Sequence, residues 1–455
     1  MTAPHLHAAM DLGASSVRLF AGQLDGDRLE VREAARVANG PVRLPDGLHW
    51  DLIHVYQVML EALTELSRQA GGDPLSVGVD SWGNDYGLLQ ADGHLLGLPF
   101  HYRDERTTGR LEQANSLVGL ERIYEATGIQ VMEFNTLFQL LAERELASYA
   151  VASDLLLIPD LFGYMLTGER RLERTNASTT QLVDARTGQL VHWMLSLLGL
   201  RGDLFAPPIE VGEVLGPVLA DVARSVELRS PVSVVTVGSH DTASAVLGAP
   251  ALTDDFAYVV SGTWSLVGLE LEAPVIDEAS RQANFSNELG VDGTVRFLRN
   301  AMGHFMLQEC ERSWARAGQP RRVGALLEQA ACCLPFRSLI DTSSPEFARP
   351  GNMPERVRSA CAKTGEPVPE NDAELVRCVV DSMALAIAAT LEDAQRCARR
   401  HVGVVHLVGG GAANDLLIAL VAATSGLEVV AGPVEASAIG NLLVQLRAAG
   451  SVGDR

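Results

Sequence analysis

Apolar and β-branched residues gather along this chain in runs of strand length, each broken by glycine or small hydroxyl residues, and amphipathic helical stripes lie between them. His7 to Leu24, HAAMDLGASSVRLFAGQL, predicts two strands around a turn at Gly13 to Ser16, with Asp11 at the end of the first. Phe256 to Leu271, FAYVVSGTWSLVGLEL, repeats that figure around Ser261 to Thr263. Two such hairpins, one opening each half, predict a duplicated α/β architecture. Leu52 to Leu66 carries a helical stripe with Asp51 as its cap, and Ser76 to Asp80 is a short strand running into SWGNDYG. Val232 to Val237 predicts a strand, Gly238 and Ser239 interrupt it, and Thr242 to Leu247 begins a helix, so Asp241 stands where strand meets helix. Arg296 to Trp314 predicts one helix with Asn300 and Gln308 two turns apart on a similar face. Near the end, VVHLVGGGAAN gives a buried strand, the turn Gly409 to Gly411 and a helix starting near Asn414. The strand Leu427 to Ala431 follows, then GPVEAS and a closing helix.

A chain of 455 residues exceeds one ordinary core, and 47% hydrophobic residues suffice for two. The formal net charge of −21 disfavours nucleic acid and anionic membrane as partners. The six cysteines, all in the last third, lack paired zinc-site spacing and read as buried thiols of a cytoplasmic protein, with Cys361 and Cys378 able to pair if the fold joins them. No apolar run approaches the ~18 residues of a membrane span.

Composition also narrows the chemistry. The single lysine, Lys363, stands in AKTG with the order wrong for a P-loop, so a phosphate site here must use amides, hydroxyls or arginine. The two small-residue turns suit that task, because backbone amides can approach an anion closely there. In isolation Ser239 or Asp241 would more often cap the helix than do chemistry. Adjacent Ser239, His240 and Asp241 do not make a catalytic triad, since sequential neighbours point in different directions. The charges of Pro99 to Gly109 read as solvated, and Thr175 to Gln181 as a polar loop without chemical signature. Gly409, Gly411 and Asn414, with Glu428 further on, nearly match a dinucleotide fingerprint, which keeps an NAD-binding enzyme as an alternative. A non-catalytic, actin-like nucleotide switch is another.

Taken together, DLGASSVR, VDSWGNDYG, YRDERT, FNTLFQL, SHDTASAV, SGTWSL, VGGGAAN and GPVEAS occur in order over nearly the whole chain, which thereby resembles the FGGY carbohydrate kinases. The resemblance implies an α/β fold of two actin-like (ribonuclease H-like) domains, 1–248 and 249–455, facing across a nucleotide and sugar cleft. It implies transfer of the ATP γ-phosphoryl group to a ketose hydroxyl, and SWGND, YRDERT and GPVEAS point to L-rhamnulose, with L-fuculose or a pentulose as rivals. Asp241 would be the general base, with Gly83, His240, Thr242 and Asn300 holding the sugar. Ala14, Ser15, Ser16, Val17, Arg18 and Thr263 would surround the phosphates, Gln308 and Gly410 would touch the nucleotide, and Asp11 would orient Mg²⁺. A monomer or homodimer in the cytoplasm, without nucleic-acid or membrane partner, completes the expectation. Val17 departs from the family's usual glycine and Ser81 from its threonine.

Overall fold

The computed structural model describes residues 6–70 and 72–453. The chain forms two compact units: one takes the chain up to Gly248 together with Leu271–Arg296 and Ala436 onward, the other Ala249–Glu270 and Phe297–Glu435.

In the first unit a mixed sheet is ordered Val214–Pro217, Ser233–Val235, Ser76–Ser81, Leu6–Leu12, Ser16–Asp25, Arg28–Ala38. The predicted hairpin is present, with Leu6–Leu12 antiparallel to Ser16–Asp25 and parallel to Ser76–Ser81. Leu6–Leu12 is buried at every position after Leu6, as a strand covered on both faces must be. Ala8, Met10 and Leu12 join the large core that includes Leu52, Met59 and Leu63 of the helix Leu52–Ala70. Ala9 and Phe20 pack instead with Ala438 and Leu442 of the closing helix Ala436–Ala448. Burying Phe20 or Leu442 contributes roughly 1.5–3 kcal/mol each. The closing helix lies so near the sheet that a Cβ on Gly78 would fall 2.4 Å from Asn441 Oδ1. Where it crosses the helix Asp241–Leu247, a Cβ on Gly440 would fall 1.8 Å from the Ser244 carbonyl oxygen. At Gly440 the neighbour is backbone, so no larger residue fits there. Asp51 accepts the His54 N–H at 3.2 Å, the expected helix-start contact.

The second unit repeats the plan. Phe256–Ser261 is antiparallel to Trp264–Leu271 and parallel to Val404–Val408, which is in turn parallel to Glu428–Ala431. A hairpin flanked by two parallel strands thus occurs in each unit, as the repeated sequence figure predicted. The helix Asp372–Ala398 packs on the helix Asp415–Ser425, which in turn packs against the strand Glu428–Ala431. Asn371 accepts the Glu374 N–H at 3.0 Å and so caps the first of them.

One predicted element is corrected. Arg296 to Trp314 is not a single helix: Val295–Met302 is a strand and the helix runs Phe305–Arg316. Asn300 is therefore on the strand and Gln308 on the helix, rather than on one helical face. Gly303 makes the break, because a Cβ there would sit 2.6 Å from the Trp264 carbonyl carbon and 2.7 Å from the Gly262 carbonyl oxygen. Cys361 and Cys378 are buried free thiols with sulfurs 3.8 Å apart. Among the described residues, no helix is long and apolar enough to cross a membrane.

Candidate active site

In the first unit, three neighbouring strands bring three charged side chains into line. Asp11 is opposite Arg18 on one side and Asp80 on the other. Arg18 Nη2 donates to Asp11 Oδ2 at 2.6 Å, and Asp11 is almost wholly buried. Asp80 is fully buried; its Oδ2 accepts from Asn441 Nδ2 at 2.6 Å, while its Oδ1 has no hydrogen-bond partner. Burial, reinforced by the Asp11 carboxylate, pushes Asp80 well above the usual carboxylate range. The Gly13–Ser16 turn closes through Gly13 N–H donating to the Ser16 carbonyl at 3.0 Å. Gly13, Ala14, Ser15 and Ser16 are half-buried, whereas Val17 is buried in the core opposite Leu12. Where a glycine is usual, Val17 here contributes packing, and only its backbone is left for a ligand.

The Ser81 N–H donates to the Ser239 carbonyl at 2.9 Å, which ties the Ser239–Asp241 segment to the end of the Ser76–Ser81 strand. The helix begins at Asp241 with His240 as its cap residue, and His240 makes no side-chain capping bond. Ser239 does not cap it either: its hydroxyl donates to Glu173 Oε2 at 2.5 Å. Asp241 keeps 30% of its side chain exposed and accepts from the Thr242 hydroxyl at 3.1 Å. Thr242 itself is buried, and Gly83 is half-buried with its missing side chain facing Thr179. Asp241 is thus a half-buried carboxylate with an open side on the first turn of its helix.

Two networks behind Asp241 were not legible in the sequence. Glu173 is buried and its carboxylate accepts five hydrogen bonds. They come from Thr175 N–H (2.7 Å) and hydroxyl (2.6 Å), Asn176 N–H (3.1 Å), and Ser239 N–H (3.1 Å) and hydroxyl (2.5 Å). The run Thr175 to Gln181 is buried throughout, not an exposed loop. Its signal was present: seven residues between Arg174 and Leu182 without a charge, a glycine or a proline. The second network is His240 with Glu288 and Arg296, both buried.

The SWGND and YRDERT segments also meet. Asp85 is fully buried and accepts from Trp50 Nε1 (2.6 Å), Trp82 Nε1 (3.0 Å), Gln139 Nε2 (2.8 Å) and the Tyr102 N–H (3.2 Å). Burial pushes its carboxyl up to about 6 against those donors. Arg106 is ion-paired with buried Glu143, donates to Gln139 Oε1 at 2.8 Å and lies 4.1 Å from the Phe100 ring centroid. Asp104 accepts the Leu48 N–H at 2.7 Å. Arg106 and Asp104 are therefore structural ties, not the solvated charges the local sequence suggested.

In the second unit the Ser261–Thr263 turn gathers two other segments. The His304 and Phe305 N–H groups donate to the Gly262 and Thr263 carbonyls at 3.0 and 3.2 Å. Gly411 packs so tightly that a Cβ there would lie 2.4 Å from Ser261 Cβ. Thr263, Asn300 and Gln308 are half-buried, Gly410 is exposed, and Gln308 Oε1 is buried without a partner. Gln308 is thus placed to offer an acceptor beside a glycine-lined turn. Glu428 pairs with Val404, at the end of these strands remote from Gly409, so it does not stand near the glycine turn as a dinucleotide fingerprint requires.

Two family models match: the N-terminal domain of the FGGY family of carbohydrate kinases over residues 6–248 and the C-terminal domain of that family over residues 257–449. A rhamnulokinase from Bacteroides thetaiotaomicron is 40% identical over 448 residues, covering 98% of this chain and 91% of the relative. A rhamnulokinase from Enterococcus faecalis is 40% identical over 451 residues, covering 98% and 90%. The crystal structure of gluconate kinase from Lactobacillus acidophilus superposes with a TM-score of 0.78 at 15% identity, covering 99% of this chain and 91% of that one, a likeness of fold. With the two-unit repeat, the half-buried Asp241 at its helix start and the glycine-lined turn of the second unit, these matches make the chain a member of the FGGY family of carbohydrate kinases.

Proposed function

We propose that the protein transfers the γ-phosphoryl group of ATP to the 1-hydroxyl of L-rhamnulose, giving L-rhamnulose 1-phosphate and ADP in L-rhamnose breakdown. The observation that carries the substrate is the 40% identity to rhamnulokinases over 98% of the chain. Asp241, half-buried on its helix turn, takes the proton of the attacking hydroxyl. Gly83, His240, Thr242 and Asn300 hold the sugar. Backbone amides from Ala14 to Val17, the Arg18 guanidinium and Thr263 meet the phosphates, and Gln308 and Gly410 meet the nucleotide. In this reading residues 1–248 supply the base and most of the sugar and phosphate contacts, and 249–455 supply Asn300 to the sugar, Thr263 to the phosphates, and Gln308 and Gly410 to the nucleotide.

Among the described residues no group of three or more His, Cys, Asp or Glu side chains converges on one metal position. Magnesium in phosphoryl transfer suits such a protein, since it is usually held by one or two carboxylates, water and the substrate's own phosphates. Asp11 would be that carboxylate, beside the unpartnered Asp80 oxygen, and the ion would offset phosphate charge alongside the Arg18 guanidinium. The reaction asks mainly for positioning and charge neutralisation, with a modest contribution from the base. The enzyme is proposed to act in the cytoplasm as a monomer or homodimer, which sedimentation of the purified protein would distinguish.

The test is ADP release with ATP and Mg²⁺ across a panel of ketoses. Release that depends on L-rhamnulose is the expected outcome. Preference for L-fuculose or a pentulose would overturn the substrate, and nucleotide binding without release for any sugar would leave a non-catalytic switch.

A further inference from the structure

Arg296 is wholly buried, and its guanidinium is fixed from several sides. Nε and Nη2 donate to the Leu289 carbonyl at 3.1 and 3.0 Å, Nη2 reaches the Thr175 carbonyl at 3.4 Å, and Nη1 lies 2.9 Å from His240 Nδ1. Glu288, also buried, places Oε2 3.1 Å from that same Nη1 and 3.1 Å from His240 Nδ1. The two neighbours make opposite demands on Nδ1: the carboxylate asks it to donate, the guanidinium asks it to accept. A guanidinium has no acceptor, so its contact with Nδ1 is a hydrogen bond only when Nδ1 carries a lone pair. That contact has hydrogen-bond geometry, whereas Glu288 Oε2, close as it is, makes no hydrogen bond of acceptable geometry and serves as the counter-ion of Arg296. The ring proton then resides on Nε2, which lies on the Asp241 side, 3.7 Å from Oδ1.

We infer that the buried Arg296–Glu288 pair is a positioning device that holds His240 as the neutral tautomer protonated at Nε2, so that beside the base it donates a hydrogen bond to an oxygen of the sugar. The second half of this inference rests on the proposed sugar-kinase reading; the tautomer does not. The arrangement has a clear chemical use. With Nδ1 accepting from Arg296, the ring offers its N–H at Nε2, on the side of the base. The partner of one ring nitrogen commonly decides which nitrogen bears the proton, and here that partner cannot accept.

The tautomer is read directly from the full-length protein labelled with ¹⁵N-histidine. The chain has 11 histidines, and the His240→Gln spectrum identifies the ring by its missing signals. Expected at neutral pH is an unprotonated Nδ1 and a protonated Nε2; a protonated Nδ1, or both nitrogens protonated, overturns the inference without any further variant. In the double variant Arg296→Met with Glu288→Gln, which leaves no lone buried charge, the ring is expected to lose that single tautomer. The sugar KM should rise about tenfold, the size of one hydrogen bond, while the ATP KM stays within about twofold. A double variant that keeps the tautomer shows that the pair does not set it. An unchanged sugar KM in His240→Gln removes the sugar contact and leaves the tautomer assignment standing, so the two readings fail separately.

Discussion

Glu173→Gln is the substitution that most directly asks how firmly the Asp241 segment is held. Four of the five donors converge on Oε2 and one, the Thr175 N–H, on Oε1 at 2.7 Å. A glutamine of the same shape does best by placing its oxygen where Oε2 stands. Its NH₂ then faces the Thr175 N–H, so one bond is lost and a buried donor is left unpaired. That donor costs about 1–3 kcal/mol, and the four remaining bonds lose their charge-assisted part, so a total of roughly 2–4 kcal/mol follows. Part of the strain is relieved by moving Ser239, two residues before Asp241. Misplacing a reacting group by about 1 Å costs on the order of 100-fold in rate. We expect kcat, measured by coupled ADP release at saturating sugar and ATP, to fall between about 10- and 100-fold, with the ATP KM unchanged within about twofold. Urea denaturation should show the loss of stability. A variant with wild-type kcat and an unshifted denaturation midpoint would refute the anchoring role.

Asp241→Asn should keep binding of ATP and sugar, followed by calorimetry, and lose most turnover; near-normal turnover would remove it as the base. Asp85, raised to about 6 by burial, holds its proton more tightly folded than unfolded, so it stabilises the fold below the unfolded pKa and that contribution is lost as pH rises through about 6. Relative to wild type, Asp85→Asn should therefore gain about 2 kcal/mol of stability between pH of about 4.5 and about 7; a pH-independent difference would contradict the shift. Gly411→Ala drives a Cβ into Ser261, and should raise the KM for ATP at least about fivefold while leaving sugar affinity alone; equal effects on both would place the turn away from the nucleotide.

How much of this could be read from the chain follows from the range of each interaction. The two hairpins, the strand before Asp241 and the closing helix were legible because period-two apolar runs and small-residue turns are local signals. The helix expected over Arg296 to Trp314 failed for a non-local reason. Gly303 had to turn against Trp264 and Gly262, some forty residues earlier, and periodicity cannot register such a contact. Asp241 and Asp11 could be singled out by their places at strand ends. Glu173, Asp80, Glu288 and Arg296 could not, since burial gives them their meaning, and buried charged residues look like surface ones in sequence. Asn441, whose amide reaches Asp80 from the far end of the chain, illustrates the same limit.

Those buried groups also explain the economy of the exposed site. Phosphoryl transfer gains more from fixed geometry than from a strong base, and Asp241 sits on a turn whose neighbours on the N-terminal side are held by side chains without freedom to move. Ser239 is bound to Glu173 through both its amide and its hydroxyl, and the His240 N–H reaches the Thr175 hydroxyl at 3.3 Å. The Asn176 amide meets the Ser239 carbonyl at 3.4 Å. Each contact restrains backbone or ring orientation, and none consumes a carboxylate oxygen of Asp241. The charges divide in the same sense: Arg296 is neutralised by Glu288, Arg18 by Asp11, and Asp80 is pushed toward its protonated form. Burying these groups unpaired would cost several kcal/mol apiece. Paired, or in the case of Asp80 protonated, they form a polar floor, and we propose that Asp241 is the carboxylate this floor leaves open to a ligand.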